Sequence, residues 1–151
     1  MQFTVLEDLK NSVNVRGKKT VVVDNDTKLT FTQLYKMAVS TAQSLMDLGI
    51  NSGDRVGVCM SKSADQIVSI LSVLYANAIF VPILPTLKYE NIACIIKDSN
   101  MSAIVTDEKR IGEVEPHSKS VSIIFSGSKN NSNYPNFPYL SHTITDEILP
   151  V

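Results

Sequence analysis

Residues 55–107 read RVGVCMSKSADQIVSILSVLYANAIFVPILPTLKYENIACIIKDSNMSAIVTD. This stretch alternates between two kinds of pattern. Residues 55–60, 79–83 and 103–106 are short apolar runs with β-branched side chains, and residues 63–76 and 88–98 are helix-length segments between them. Strands alternating with helices imply βαβ units, a parallel sheet and right-handed crossovers. The strand runs are apolar at successive positions, as expected of a sheet covered by helices on both faces. The reading is an α/β fold, a three-layer α/β sandwich with a mainly parallel sheet.

The helix at 63–76 carries its own boundaries. Ser63 followed by Gln66 fits a capping box, in which the hydroxyl takes an orphan amide and the Gln side chain reaches back. Ile67, Ile70, Leu71 and Leu74 form one face at i, i+3, i+4 and i+7, and Val68, Val73 and Tyr75 widen it. A helix apolar nearly all round is expected to be buried. Asn77 and Asn100 stand where the two helices must end, and Asn follows Gly in preference for the left-handed residue that closes a helix.

Working outward toward the N-terminus, residues 30–48 give the clearest helix. Thr30 and Gln33 fit a second capping box. Leu34, Met37, Ala38, Thr41, Ala42, Leu45 and Leu48 trace one face. Gly49 fits the position just past the C-cap, and Ile50 is placed for the hydrophobic contact back onto the last turn. Residues 51–54 turn the chain into the strand at Arg55. Residues 20–24 and 28–29 read as a small hairpin around Asn25 and Asp26. Residues 1–16 read as one short amphipathic helix on Phe3, Val5, Leu6 and Leu9.

Beyond Asp107 the pattern weakens. Residues 108–119 mix acidic and basic charges without an apolar period, and read as a solvated loop with one short helical turn. Residues 121–125 are a further parallel strand. Residues 126–139 are rich in Ser, Asn, Gly and Pro and read as a flexible loop.

The totals set limits. The chain has 151 residues, 44% of them hydrophobic and 19% charged, with a net charge of −1. That suffices for one globular domain with a substantial core. A near-neutral chain without a basic stripe does not suit a nucleic-acid surface. There is no basic leader with an apolar run behind it, so no signal peptide is read, and no apolar run reaches the roughly 18 residues of a membrane span. The cytoplasm is therefore the expected compartment. Cys59 and Cys94 lack paired spacing and are expected to be reduced and buried. His117 and His142 stand alone in polar surroundings, and no metal-ligand spacing occurs, so the metal set is none.

Several motifs then recur in one order. They are Leu29-Thr30-Phe31-Thr32-Gln33-Leu34, the turn Leu48-Gly49-Ile50-Asn51-Ser52-Gly53-Asp54-Arg55-Val56, the run Ala76-Asn77-Ala78-Ile79-Phe80-Val81-Pro82-Ile83, and Ile104-Val105-Thr106-Asp107. Over roughly residues 20–107 this set resembles the N-terminal part of the adenylate-forming (AMP-binding) superfamily: acyl-CoA synthetases, peptide-synthetase adenylation domains and luciferases. No single piece is specific; the ordered set is. Three departures stand out. Asn77 replaces the family's Gly, Gln33 replaces an acidic residue, and Ile83-Leu84-Pro85 lacks the Asp seen there in many members.

The resemblance implies a two-step acid–thiol ligation. A carboxylate attacks ATP to give an acyl-adenylate, and a thiol, of coenzyme A or of a carrier-protein pantetheine, then takes the acyl group. ATP and Mg are the cofactors expected of the full-length parent, and none is expected in this chain. The family's phosphate loop ending Pro-Lys-Gly, its adenine site and its C-terminal lid with a catalytic Lys are not among these residues. Ser126-Gly127-Ser128-Lys129 follows a strand as a phosphate loop would. It has no second Gly, no Pro-Lys-Gly and no helix behind it, and a phosphate cradle needs several unhindered amides pointing one way. It reads as a surface loop. Asp54 and Arg55 read as a turn and a strand start.

The chain is therefore expected to be one N-terminal (sub)domain, 1–151. It is expected to supply scaffold and one wall of the acyl pocket, to be inactive alone, and to carry no catalytic, cofactor-binding or metal residue. Its partner is the remainder of the parent enzyme. The alternative is a stand-alone binding module that kept the scaffold and lost the ligase. An unrelated nucleotide-binding domain lacks support, because neither GxGxxG nor GxxxxGK[ST] occurs.

Overall fold

The structure is a computed structural model that describes residues 4–127 and 133–136. In chain order the elements are α1 (Val5–Arg16), β1 (Thr20–Asp24), β2 (Thr27–Thr30), α2 (Phe31–Asp47), β3 (Arg55–Cys59), α3 (Ala64–Tyr75), β4 (Ile79–Pro82), α4 (Tyr89–Ser99), β5 (Ala103–Thr106), α5 (Ile111–Val114), a 3-10 turn (Glu115–His117) and β6 (Ser122–Phe125).

β3, β4, β5 and β6 form one sheet in the order β4-β3-β5-β6, with every pairing parallel. β1 and β2 form a separate antiparallel pair, with Asn25 in the left-handed region at φ 51°. β3 has a neighbour on each side, so the strand runs expected to be parallel are parallel. At the β4 edge, Pro82 has no N–H to offer an outer strand, which is where a sheet tolerates proline.

Alternate residues of each strand feed opposite layers. Val56 and Val58 of β3, Ala103 and Val105 of β5 and Ile124 of β6 pack with Ala42 and Leu45 of α2 and Val73 of α3. Cys59, Ile104 and Ile123 face the other way, onto Ile92 and Ile96 of α4 and Val114 of α5. Helices cover both faces, which is the three-layer arrangement. Each buried Ile, Leu or Val contributes about 1.5–3 kcal/mol. A third cluster joins Leu9 of α1, Val22 and Leu29 of the hairpin, Leu34 and Ala38 of α2 and Val68 and Leu71 of α3.

The helix ends explain how the chain returns to the sheet. After α2, the Gly49 N–H donates to the Met46 carbonyl at 2.9 Å and the Ile50 N–H to the Leu45 carbonyl at 3.1 Å. That pair of bonds is a Schellman closure around a left-handed residue, here Gly49 at φ 96°. The same pair closes α3 through Asn77 (φ 56°) and α4 through Asn100 (φ 49°). The Thr30–Gln33 capping box of α2 is formed in both directions, at 3.2 and 2.9 Å.

Several expectations need correction. Ser63 accepts the Gln66 N–H at 3.1 Å, but the Gln66 side chain donates to the Met60 carbonyl at 3.2 Å instead of reaching back, so only half of that box forms. The buried side of α3 is Ala64, Val68, Ser69, Leu71, Ser72 and Val73, while Ile67 is exposed. Apolar counting passed over the two serines. Ser72 Oγ donates to the Val68 carbonyl at 2.6 Å, which lets a hydroxyl lie in the core. Leu48, placed on the buried face of α2, is exposed at its C-cap.

Cys94 is exposed, although it was expected to be buried; Cys59 is buried as expected. At 100° per residue, Cys94 lies opposite Ile92 and Ile96, the buried residues of α4. Residues 108–119 are more ordered than their charge suggests. They form α5 and the 3-10 turn, with Val114 fully buried. His117 is buried rather than solvated, and its ring stacks on Tyr89 with centroids 4.4 Å apart. His142 and most of the loop expected at 126–139 lie outside the described residues. Residues 133–136 flank β6, where the Phe125 N–H donates to the Pro135 carbonyl at 2.8 Å.

Candidate functional site

In an open parallel sheet, ligands bind beyond the carboxyl ends of the strands, where neighbouring connections diverge. From β3 the chain goes first to β4 on one side and then, through α4, to β5 on the other. The divergence therefore lies between the ends of β3 and β5. A cavity of about 220 Å³ opens there, walled by residues 61–63, 107–109, 126–127 and 24–25 among others. That is below the roughly 300–1,000 Å³ of ordinary small-molecule sites.

Several backbone donors around this crevice are occupied by the protein's own groups. Asp107, the residue after β5, accepts the Ser61 N–H through Oδ2 at 2.8 Å. Its Oδ1 accepts the N–H groups of Lys109 at 3.1 Å and Arg110 at 2.9 Å. One carboxylate thus ties the end of β3 to the end of β5 and starts α5. At the N-terminus of α3, where the helix dipole favours an anion, Asp24 Oδ2 from the β1–β2 hairpin accepts the Ala64 N–H at 2.9 Å. Ser63 is committed as well: its hydroxyl accepts from Gln66 and donates to the Ser61 carbonyl at 3.2 Å. Below, Thr106 Oγ1 donates to the Cys59 carbonyl at 3.0 Å and is fully buried.

Burial raises the Cys59 thiol pKa, and the neighbouring Arg110 guanidinium offsets part of that rise. Arg110 also donates from Nη2 to the Leu87 carbonyl at 2.7 Å. Nearby, Lys88 pairs with Glu113 at 3.2 Å and lowers its pKa, an exposed contact of small energetic weight. This arrangement braces loops. Among the described residues, no group of three His, Cys, Asp or Glu side chains is placed to hold a metal. No described helix is long and apolar enough to cross a membrane.

The candidates raised by the sequence fall in different places. Ser126 and Gly127 line the crevice, with the Ser126 N–H donating to the Thr106 carbonyl at 2.8 Å. Ser128 and Lys129 lie outside the described residues. Asp54 and Arg55 stand at the amino end of β3, the wrong end of the sheet for the crevice. Asp54 Oδ2 accepts the Asn51 N–H at 2.7 Å, a turn contact, and its carbonyl accepts the Ile79 N–H at 2.7 Å, where the pairing of β3 with β4 begins. The clamps at Asp107 and Asp24 were not singled out. Their partners lie 46 and 40 residues away, a separation no local pattern reveals. The cue was an Asp at the end of each apolar strand run, Asp24 closing β1 and Asp107 following β5.

The family model described as AMP-binding enzyme matches residues 9–137, and the chain belongs to that family. Among curated relatives, the polyketide synthase-nonribosomal peptide synthetase ffsA of Aspergillus flavipes is 33% identical over 123 residues, covering 80% of this chain and 3% of the relative. Among solved structures, a benzoate CoA ligase from Burkholderia xenovorans superposes with a TM-score of 0.78 at 21% identity, over 89% of this chain and 27% of that one. The Klebsiella oxytoca NpsA N-terminal subdomain superposes at 0.67 with 14% identity, over 70% of this chain and 28% of that one. The two structural likenesses establish the fold. The chain therefore spans from a few per cent to about a quarter of these proteins' lengths.

Proposed function

We propose that these 151 residues are the N-terminal scaffold of an ATP-dependent acid–thiol ligase, without catalytic or nucleotide-binding residues of their own. The whole enzyme activates a carboxylate as its acyl-adenylate, using ATP and Mg, and passes the acyl group to a thiol of coenzyme A or of a carrier protein. Membership of the AMP-binding enzyme family supports the reaction class. The observation that carries the scaffold reading is the crevice at β3 and β5, where the amides of Ser61, Lys109 and Arg110 are bonded to Asp107 and that of Ala64 to Asp24. A triphosphate would need those donors, or others like them, turned outward.

The partner of this chain is the remainder of the ligase, in the cytoplasm. The test is incubation of the 151-residue chain with ATP, Mg and a panel of carboxylates under pyrophosphate detection. The scaffold reading predicts release at the level of a blank. Turnover that depends on both the carboxylate and the chain would overturn it.

A further inference from the structure

α1 is held to the body unevenly along its length. It starts on its own terms, with a capping box between Thr4 and Glu7 at 3.2 and 3.1 Å. Leu9 alone is buried among the described residues of α1, and Leu6, Ser12 and Val13 are half-buried. Val5 and Val15 are exposed. α2, which lies beside it, buries five residues.

The two ends are held differently. At the carboxyl end the backbone itself is tied. The Thr32 N–H donates to the Gly17 carbonyl at 3.0 Å and the Phe31 N–H to the Lys19 carbonyl at 3.1 Å. A β-carbon on Gly17 would collide with Thr32 Oγ1 and the Val13 carbonyl, so the chain passes the start of α2 at close range. The Arg16 guanidinium lies over the Phe31 ring, 5.2 Å from its centroid. Toward the amino end the tie is a side chain from another element. The Tyr75 hydroxyl of α3 donates to the Leu6 carbonyl at 3.1 Å. Leu9 sits beside it in the cluster with Leu34, Ala38 and Leu71.

We propose that α1 is a strap that swings off as one unit while the rest of the chain stays folded. Residues 17–19 are its anchor and the Tyr75 hydroxyl is its latch. Closed, Leu9 covers the apolar strip of Leu34, Ala38 and Leu71, and Lys10, Val13 and Asn14 wall a groove of about 610 Å³ against α2. Open, that strip and the rings of Tyr35 and Tyr75 meet solvent, and the groove loses a wall. Exposure of this face is thus conditional on α1. The device does not depend on the ligase reading, because the groove shares no lining residue with the crevice at β3 and β5.

Two physical arguments make the opening local and cooperative. Burial stabilises in proportion to the apolar area removed from water, and one buried leucine removes little. α1 therefore belongs to the low-stability end of the molecule. A freed helix of this length is marginal in water, so undocking also melts it. Release and melting come together, and the amides of α1 report both.

The test is native-state hydrogen exchange of the 151-residue chain, read by NMR across low urea concentrations. The strap predicts one common protection for the amides of residues 9–16. It should be lower than that of residues 56–59 in β3 by on the order of a hundredfold, and nearly independent of urea. The Phe31 and Thr32 amides, which form the anchor, should keep the protection of β3. Tyr75→Phe should accelerate exchange at residues 9–16 about fivefold, through loss of one hydrogen bond, with the weak urea dependence retained. If that variant does not fold, the profile of the unaltered chain still decides. Equal protection and equal urea dependence in α1 and β3 would overturn the proposal, since α1 would then open only by global unfolding. So would protection that declines steadily toward residue 9, which is fraying. Loss of Phe31 and Thr32 protection together with α1 would remove the anchor, and unchanged exchange in Tyr75→Phe would remove the latch; either result overturns the strap.

Discussion

Removing the Asp107 carboxylate tests whether the crevice is braced as described. Asp107→Ala deletes the acceptor of three backbone N–H groups, those of Ser61, Lys109 and Arg110, at 2.8, 3.1 and 2.9 Å. They do not weigh equally. Lys109 is exposed and its amide can turn to water, and Arg110 keeps a bond to the Asp107 carbonyl at 3.1 Å. The Ser61 N–H is partly buried and loses its acceptor, so it carries most of the cost. A hydrogen bond to a charged group contributes about 1.5–3 kcal/mol, and loss of a helix-start cap adds about 0.5–1 kcal/mol. The expected destabilisation is about 2–4 kcal/mol. With a urea slope of about 2 kcal/mol per molar, the midpoint should fall by about 1–2 M. Asp107→Asn keeps one acceptor but turns its NH2 toward a donor on the other side, so it should lie between the two. Urea unfolding followed by far-UV circular dichroism gives both values, and hydrogen exchange should show the Ser61 amide accelerated. A loss under about 1 kcal/mol for Asp107→Ala, with Ser61 exchange unchanged, would refute the bracing argument.

Asn77 sits at φ 56° and donates from Nδ2 to Ser52 Oγ at 2.5 Å. Asn77→Ala should cost about 1–2 kcal/mol in urea unfolding, because Ala keeps the β-carbon but loses the short polar side chain that lets Asn tolerate the left-handed region; Asn77→Gly removes the β-carbon strain as well as the bond and should fall within about 1 kcal/mol of the parent. Native labelling with a small maleimide should modify Cys94 rapidly and Cys59 only after unfolding, since Cys94 is exposed and Cys59 is buried; labelling of both at one rate would contradict the packing of β3. The Tyr75 hydroxyl is pushed up to about 12 from 10, first by burial and second by Tyr35. A proton held more tightly by the folded state makes stability fall as pH rises above the unfolded value. Unfolding midpoints should therefore decline between about pH 10 and 12, and Tyr75→Phe should flatten that decline.

Much of the fold was legible because its signals are local. Gly49, Asn77 and Asn100 end helices through their own backbone conformation, and Thr30 with Gln33 begins one within four residues. The parallel order of β3, β4 and β5 followed from apolar runs spaced by helices. What stayed hidden is non-local or polar. The buried side of α3 rests on Ser69 and Ser72, which no hydrophobic period counts. Cys94 looked like core by residue type, yet its angle from Ile92 faces it outward. Residues 111–117 look solvated in sequence, and only the stack of His117 on Tyr89 and the burial of Val114 reveal their inner side. At the crevice, the two Asp clamps join segments 40 and 46 residues apart.

The central claim is that this chain supplies scaffold to an adenylate-forming ligase and does not itself hold the nucleotide. The direct measurement is a titration of the 151-residue chain with ATP and magnesium to millimolar concentration, following amide shifts by NMR. The net charge of −1 offers no attractive field for a polyanion, and the amides at Ser61 and Ala64 are bonded to carboxylates. The account predicts no saturable shift anywhere in the chain. Saturable shifts at Ser126 and Gly127, or at residues 61–64, would contradict it and make the chain a nucleotide-binding module in its own right.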